Sequence, residues 1–349
     1  MKDLIKSTRL SKGIKSRELA QLIGVDQAII SKIENGARFP TKDQLLKIAK
    51  ILEIPKEEIL PLWLKEKILL ELKHEPYAHQ ALSLVQEELS EYNRNERTTI
   101  SESLQVKLDR IDVLKSKLDK LRQFDSYRIA QALELEYTFE SNRIEGNTLT
   151  LRETDLVLNE GLTISGKSMR EHLEVLNHQE AIFYIKEFVQ KKLVINEREL
   201  LVIHNLILRG IMPEYAGKYR DIQVMIKGST HMPPQPFLVS KQMEELFIWF
   251  NSNKLSLHPI ILAAEFHERL VTIHPFVDGN GRTSRLLMNL ILLSNGYVIA
   301  NIKGDYETRM NYYNTLEEAQ TTDSKNSFFQ FITNVEIDCL ERYLKILGG

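Results

Sequence analysis

Strand signals are nearly missing from this chain, and that constrains the fold more than any other feature. Only Tyr219-Arg-Asp-Ile-Gln-Val-Met-Ile226 alternates in a β-rich composition, with a turn offered by Lys227-Gly228-Ser229. Elsewhere apolar residues recur at helical spacing, and 15 Gly and 10 Pro in 349 residues are too few to interrupt long helices often. One hairpin cannot build a sheet core. The sequence therefore predicts an all-α chain in which residues 220–232 form a small β-hairpin flap. Composition adds exclusions. Hydrophobic residues at 43% and charged residues at 27% are ordinary for a globular protein. The single cysteine, Cys339, excludes a disulfide framework and a cysteine-based zinc cluster, and it fits a reducing, cytoplasmic setting. No apolar run approaches the ~18 residues of a membrane span. Met1 to Ile14 has no apolar signal core, so no membrane partner is expected.

Three segments follow from the punctuation. Residues 1–60 read as short helices: apolar residues at 19, 20, 22 and 23, a turn at Gly24, an N-cap at Asp26, and a stop at Asn35-Gly36. This head holds 12 Lys+Arg against 8 Asp+Glu, whereas the remainder is acidic. The asymmetry permits a nucleic-acid role for the head alone. Residues 61–125 read as a helical connector, with Asn93 to Thr99 as its linker and a stripe from Leu104 to Leu121 suited to packing on the body. Residues 126–349 read as one helical domain.

The strongest chemical signal is His274-Pro-Phe-Val-Asp-Gly-Asn-Gly-Arg-Thr-Ser-Arg285, placed between an apolar segment and a long apolar helix. Glycines at a helix start let the backbone approach a ligand, and the free N–H groups there attract anions. Arg282 and Arg285 share a face of the first turn and oppose the helix dipole, a conflict that a polyphosphate or carboxylate removes. Asp278 can hold Mg²⁺ against phosphate oxygens. His274 is placed to act as a general base.

This segment resembles the Fic motif, with every specified position filled, and the likeness runs from about Leu104 to Tyr343, including Gly217-Lys-Tyr-Arg220. The resemblance implies a protein adenylyltransferase, which moves AMP from ATP to a Ser, Thr or Tyr hydroxyl. It implies His274 as the base and Asp278 as the Mg²⁺ ligand. Gly279, Asn280, Gly281, Arg282 and Arg285 would hold phosphates, and Tyr312 and Tyr313 would lie near the adenine. The flap, through Ile222, Val224, Met225 and Ile226, would pair with an extended target segment. The partners so implied are a target protein and the chain itself, by auto-AMPylation.

A second motif lies far away. Ser141-Asn-Arg-Ile-Glu-Gly-Asn147 ends a helix at about 127–146, with Glu145 where a carboxylate opposes the dipole and Gly146 as a C-terminal stop. It resembles the Fic inhibitory motif, Ser/Thr-x-x-x-Glu-Gly/Asn. The resemblance implies that Ser141 and Glu145 act on Arg285 and keep the γ-phosphate from docking. In some relatives the same glutamate serves AMP removal.

The head resembles the helix-turn-helix domain of the lambda-repressor-like (XRE) family, through Glu18-Leu-Ala20, Ile23-Gly-Val25 and Ile30-Ser-Lys-Ile-Glu-Asn-Gly36. Gln27, Ala28 and Ser31 would meet base edges, and Lys32 and Arg38 would meet phosphates. Half-site reading implies a homodimer. Two functional classes result: an autoinhibited adenylyltransferase with a DNA-binding head, or a transcriptional regulator whose body only senses nucleotide.

Overall fold

The computed structural model describes residues 1–73, 75–78, 80–82, 100–124, 126–322 and 324–348. It divides into two compact units, Met1–Arg97 and Thr98–Gly349. The expected connector over 61–125 is therefore not a separate element; its two halves belong to different units. Its proposed linker, residues 93–99, lies outside the described residues, as do residues 83–89 of the preceding apolar set.

The first unit contains α1 (Lys2–Ser11), α2 (Ser16–Ile23), α3 (Gln27–Glu34), α4 (Lys42–Leu52) and α5 (Lys56–Leu72). The turn from α2 to α3 forms as the sequence predicts. Gly24 adopts φ 75°, and the Asp26 carboxylate accepts the Ala28 N–H at 2.7 Å. Ile5, Leu19, Ile30, Ile33, Leu45 and Ile48 fill the core. Inside it Arg9 grips Glu34 through two hydrogen bonds, Nε–Oε1 at 2.6 Å and Nη2–Oε2 at 2.8 Å, and donates a third to the Ile14 carbonyl at 2.7 Å. This unit extends past residue 60, because Trp63 of α5 is buried, stacks on Phe39 and donates to the Pro40 carbonyl at 2.9 Å.

The second unit is built around two helices buried on nearly every side, α12 (Pro259–Ile273) and α13 (Asn280–Ser294). Its helices in order are α6 (Glu102–Leu121), α7 (Tyr127–Ile144), α8 (Leu151–Glu160), α9 (Met169–Gln190), α10 (Glu197–Leu208), α11 (Pro236–Asn253), α12 (Pro259–Ile273), α13 (Asn280–Ser294), α14 (Tyr306–Thr321) and α15 (Asn326–Ile346). The stripe Leu104, Leu108, Ile111, Leu114 and Leu118 of α6 is buried, and α6 packs along α15. Among the described residues no helix is long and apolar enough to cross a membrane.

The flap corrects one expectation. Residues 220–232 carry no strand pairing, although the chain does turn at 227–228. The return arm ends in Pro233 and Pro234, which lack the N–H that a ladder needs. Side chains tie the arms instead: Arg220 Nη2 donates to Pro234 O at 2.6 Å, and Gln223 Nε2 donates to Pro233 O at 2.9 Å. Glu317 of α14 then holds the turn by accepting from the Thr230 N–H at 2.6 Å.

Replacing one member of a buried ion pair strands the other, at a cost of ~3–5 kcal/mol. Arg9→Ala is expected to lower the unfolding midpoint of the first unit. The check is Trp63 fluorescence in a Trp249→Phe background, and an unshifted urea transition would contradict a stabilising role for the pair.

Candidate active site

The loop between α12 and α13 closes on itself through Asn280. Its Oδ1 accepts the Phe276 N–H at 3.0 Å, and its Nδ2 donates to the Phe276 carbonyl at 2.9 Å. The side chain is thus used on the loop, and only the Asn280 backbone is left for an anion. Gly279 takes φ 80° to enter α13, so the first N–H groups of that helix open into the site without intrahelical acceptors.

His274 ends α12 at φ 50°, a left-handed conformation that a side chain adopts only when its surroundings enforce it. Arg220 supplies that enforcement. It is buried, its Nε donates to the His274 carbonyl at 2.8 Å, and its N–H donates to the Pro275 carbonyl at 2.9 Å. His274 Nδ1 lies 3.3 Å from the Val271 carbonyl, which assigns the ring proton to Nδ1 and leaves Nε2 as an acceptor. Burial pushes the His274 pKa down to about 4, and the Arg220 charge works in the same direction. The ring is neutral at pH 7.

His204 supports the loop from below. Its Nδ1 accepts the Gly217 N–H at 3.0 Å, its Nε2 donates to the Asp278 carbonyl at 3.0 Å, and its ring stacks on Phe276 at 3.5 Å. Burial lowers its pKa to about 4 as well. The Asp278 carboxylate accepts the Gly279 N–H at 2.6 Å and Arg170 Nη2 at 2.6 Å. Although burial works against its charge, Arg282 and these two donors hold its pKa below the usual carboxylate value.

Both motif arginines are sunk in the protein, each about 2% exposed at the side chain. Arg282 lies 3.3 Å from Asp278 Oδ1 and 3.5 Å from Glu174 Oε1, yet its Nε and Nη1 make no hydrogen bond. Such orphaned donors cost ~1–3 kcal/mol until an acceptor arrives. Arg285 makes three hydrogen bonds. Its Nε donates to Ser141 Oγ at 3.1 Å, and its Nη2 donates to Ser141 O at 2.9 Å and Glu145 Oε1 at 2.7 Å. Burial opposes the Arg285 charge, but Glu145 and the nearby tyrosines outweigh it and raise its pKa. The carboxylate also fills the mouth of α13: a Cβ built on Gly281 would lie 2.3 Å from Glu145 Oε1. An acidic oxygen already occupies the anion seat of that helix.

The structure thus brings His274, Asp278, Gly279, Asn280, Gly281, Arg282, Arg285, Ser141 and Glu145 to one place. It treats the two tyrosines differently. Tyr312 is a core residue, 2% exposed, with its hydroxyl 2.8 Å from His267 Nε2, so it offers no ring face to a base. Tyr313 is exposed on one side and donates to the Ile144 carbonyl at 3.1 Å, which ties α14 to the end of α7. In the flap Ile222 and Met225 are exposed, whereas Val224 and Ile226 are half-buried. Gln27, Ala28, Ser31, Lys32 and Arg38 are all exposed on the first unit. Sequence reasoning gave no role to His204, Arg170 or Glu174. Arg170 and Glu174 read as an ordinary surface pair four residues apart on a helix.

A buried, partly unsatisfied pair of cations stands at a glycine-opened helix start, with a neutral histidine ahead of it, an arrangement suited to an anion. Residues 194–292 match the Fic/DOC family, and residues 5–59 match the Helix-turn-helix family. The chain thus carries a segment that matches the Fic/DOC family and, ahead of it in sequence, one that matches the helix-turn-helix family. It is 37% identical over 241 residues to the protein adenylyltransferase Fic of Nematostella vectensis, covering 68% of this chain and 55% of that protein. The corresponding protein of Drosophila grimshawi is 35% identical over 280 residues, covering 77% and 55%. The chain thus spans about half the length of these relatives. Among solved structures, a fragment of Fic-1 from C. elegans superposes with a TM-score of 0.63 at 25% identity, covering 99% of both chains. A Fic domain containing signaling protein from Bacteroides thetaiotaomicron superposes with a TM-score of 0.62 at 29% identity, covering 68% of this chain and 97% of that one.

Removing the Asn280 side chain leaves the buried Phe276 N–H without its acceptor. Asn280→Ala is expected to speed hydrogen exchange at Phe276 at least tenfold, the equivalent of ~1.4 kcal/mol. Unchanged exchange would show that the loop does not depend on this clamp.

Proposed function

We propose that the chain transfers AMP from ATP to a protein hydroxyl and that Glu145 holds this activity down. The observation that carries the reading is the Glu145 carboxylate seated over Gly281 and bonded to Arg285, where the buried site calls for an anion. A triphosphate satisfies the free donors of Arg282 and the N–H groups of α13, and it competes with Glu145 for Arg285.

In the reaction, the target hydroxyl oxygen bonds to the α-phosphorus, the bond to the β-phosphate oxygen breaks, and pyrophosphate leaves. His274 Nε2 takes the hydroxyl proton. Arg220 keeps that ring aimed by holding its carbonyl, and His204 and Asn280 keep the loop from spreading. Asp278 fits a Mg²⁺ ion: a single half-exposed carboxylate beside a phosphate site is the usual protein share of such a centre. Mg²⁺ would supply neutralisation of charge on the phosphates. Arg170 now occupies Asp278 Oδ2 and has to give that oxygen up. The exposed flap residues Ile222 and Met225 are offered to an extended target segment and to the chain's own modifiable hydroxyls. Glu145 can also hold a water for AMP removal. The head reads DNA as a homodimer, supported by the common exposure of Gln27, Ala28, Ser31, Lys32 and Arg38. A cytoplasmic setting suits the lone, reduced Cys339.

Labelled ATP with Mg²⁺ tests the reading. His274→Ala should lose ~10²–10⁴-fold in AMP transfer and keep nucleotide binding. Because the base form of His274 persists down to about pH 4 in the free protein, kcat/KM should stay level from neutral pH to well below the ordinary histidine range and fall only as the ring protonates. An acid limb centred on an unperturbed histidine pKa of ~6.5 would contradict a buried, neutral base.

Glu145→Gly should activate. A hydrogen-bonded ion pair of this kind is worth ~1.5–3 kcal/mol, so freeing Arg285 should raise the competent population roughly 10- to 100-fold. The substitution falls at the C-cap of α7, where a lost helix former costs little. If Glu145→Gly labels itself no faster than the unmodified chain over a range of ATP and Mg²⁺, Glu145 is not an inhibitor.

A further inference from the structure

The helix that carries Ser141 and Glu145 also lines a cleft. This cleft, of about 250 Å³, lies inside the second unit, between the first half of α7, the C-terminal end of α9, the α13-to-α14 loop and α15. Ala130 and Leu133 of α7 form one apolar wall, and Leu293 and Val298 form another. Asn301 and Cys339 line it as well, with the Asn301 N–H donating to Cys339 Sγ at 3.4 Å. Asn301 Oδ1 is buried there without a hydrogen-bond partner. A buried acceptor left unmade is a reason to expect a donor from outside.

Three cations line the same cleft, Arg122, Lys186 and Arg342, against the single carboxylate of Glu134. Two of them are also tethers of α7: Lys186 pairs with Glu134, and Arg342 pairs with Glu136. Lys186 and Arg342 are 33% and 47% exposed at the side chain, whereas Glu134 and Glu136 are only 12% and 22% exposed, so both cations are open to an incoming anion that competes with the glutamates. Such an exchange would loosen α7 at its middle, where Glu134 and Glu136 stand. Because α7 is one continuous helix from Tyr127 to Ile144, a shift there moves Ser141 and Glu145 at its end.

We propose that this cleft binds a small amphipathic anion, an apolar or aromatic body bearing a carboxylate, sulfonate or phosphate, with a donor for Asn301, and that its occupation relieves inhibition by Glu145. The apolar walls take the body, Lys186 and Arg342 take the charge, and α7 loses two of its tethers. The effector role rests on the inhibitory reading of Glu145; the binding site does not. A ligand shifts the equilibrium only by its difference in affinity for the two positions of α7, and competition for these tethers is the source of that difference.

Anilinonaphthalene sulfonate is a suitable probe, since it is an aromatic anion and fluoresces in apolar surroundings. The chain has one cysteine, so alkylation by N-ethylmaleimide reports on this cleft alone. At ten times its dissociation constant the probe should slow Cys339 alkylation in the full chain roughly tenfold. Ala130→Trp, which fills the cleft, should abolish that protection, and the milder Arg342→Ala should weaken it if the first variant does not fold. The probe should raise AMP transfer by the unmodified chain and leave Glu145→Gly unchanged. Binding without protection of Cys339, or protection unaffected by both variants, would overturn the site. Protection without a rise in activity, when Glu145→Gly is active, would overturn the effector role. If Glu145→Gly is itself no faster, the inhibitory reading fails, and the alkylation result still decides the site.

Discussion

Arg285 is a permanent charge in a place that water barely reaches, and it must have an anion. A buried guanidinium without one would cost several kcal/mol, so the fold cannot leave it alone. Ser141 supplies two neutral acceptors, and Glu145 supplies the charge. These two residues lie 144 and 140 positions away in sequence, so the contact pins α7 across the mouth of α13. In the function we propose, the need for an anion is also the means of control: whichever anion holds Arg285, glutamate or phosphate, decides the state of the site.

Around that contact the loop is preorganised rather than left to the ligand. His274 stands in a left-handed conformation that costs energy, and Arg220 and Asn280 hold it there through backbone carbonyls and amides. His204, kept neutral by burial, sets the position of the Asp278 carbonyl. These supports are bonded to the loop backbone before any ligand arrives, so in the proposed transfer they need no reorganisation, which is the advantage of fixed dipoles and fixed donors over solvent.

Much of this was legible in the sequence, for physical reasons. Gly24, Asp26 and Gly146 marked turns because few residues tolerate those backbone angles or caps. The misplaced charges Glu145 and Arg285, each opposing its helix dipole, pointed to each other. The flap misled because alternation reports side-chain periodicity and says nothing of backbone donors; Pro233 and Pro234 remove the donors. The family resemblance puts Tyr312 near the adenine, and a resemblance cannot tell a ring that lines a site from one packed in the core, as Tyr312 is here. His204 and Arg220 act through backbone carbonyls far away in sequence, and no local pattern announces such contacts.

In the function we propose, Glu145 and a nucleotide phosphate share one seat at Arg285. A pair of crystal structures with an ATP analogue and Mg²⁺, one of the unmodified chain and one of Glu145→Gly, tests this. The terminal phosphate should be held away from Arg285 in the first, with the Glu145 contact intact, and a phosphate should be bonded to Arg285 in the second. A terminal phosphate in the same place in both structures, with Glu145 still on Arg285 in the first, would contradict it.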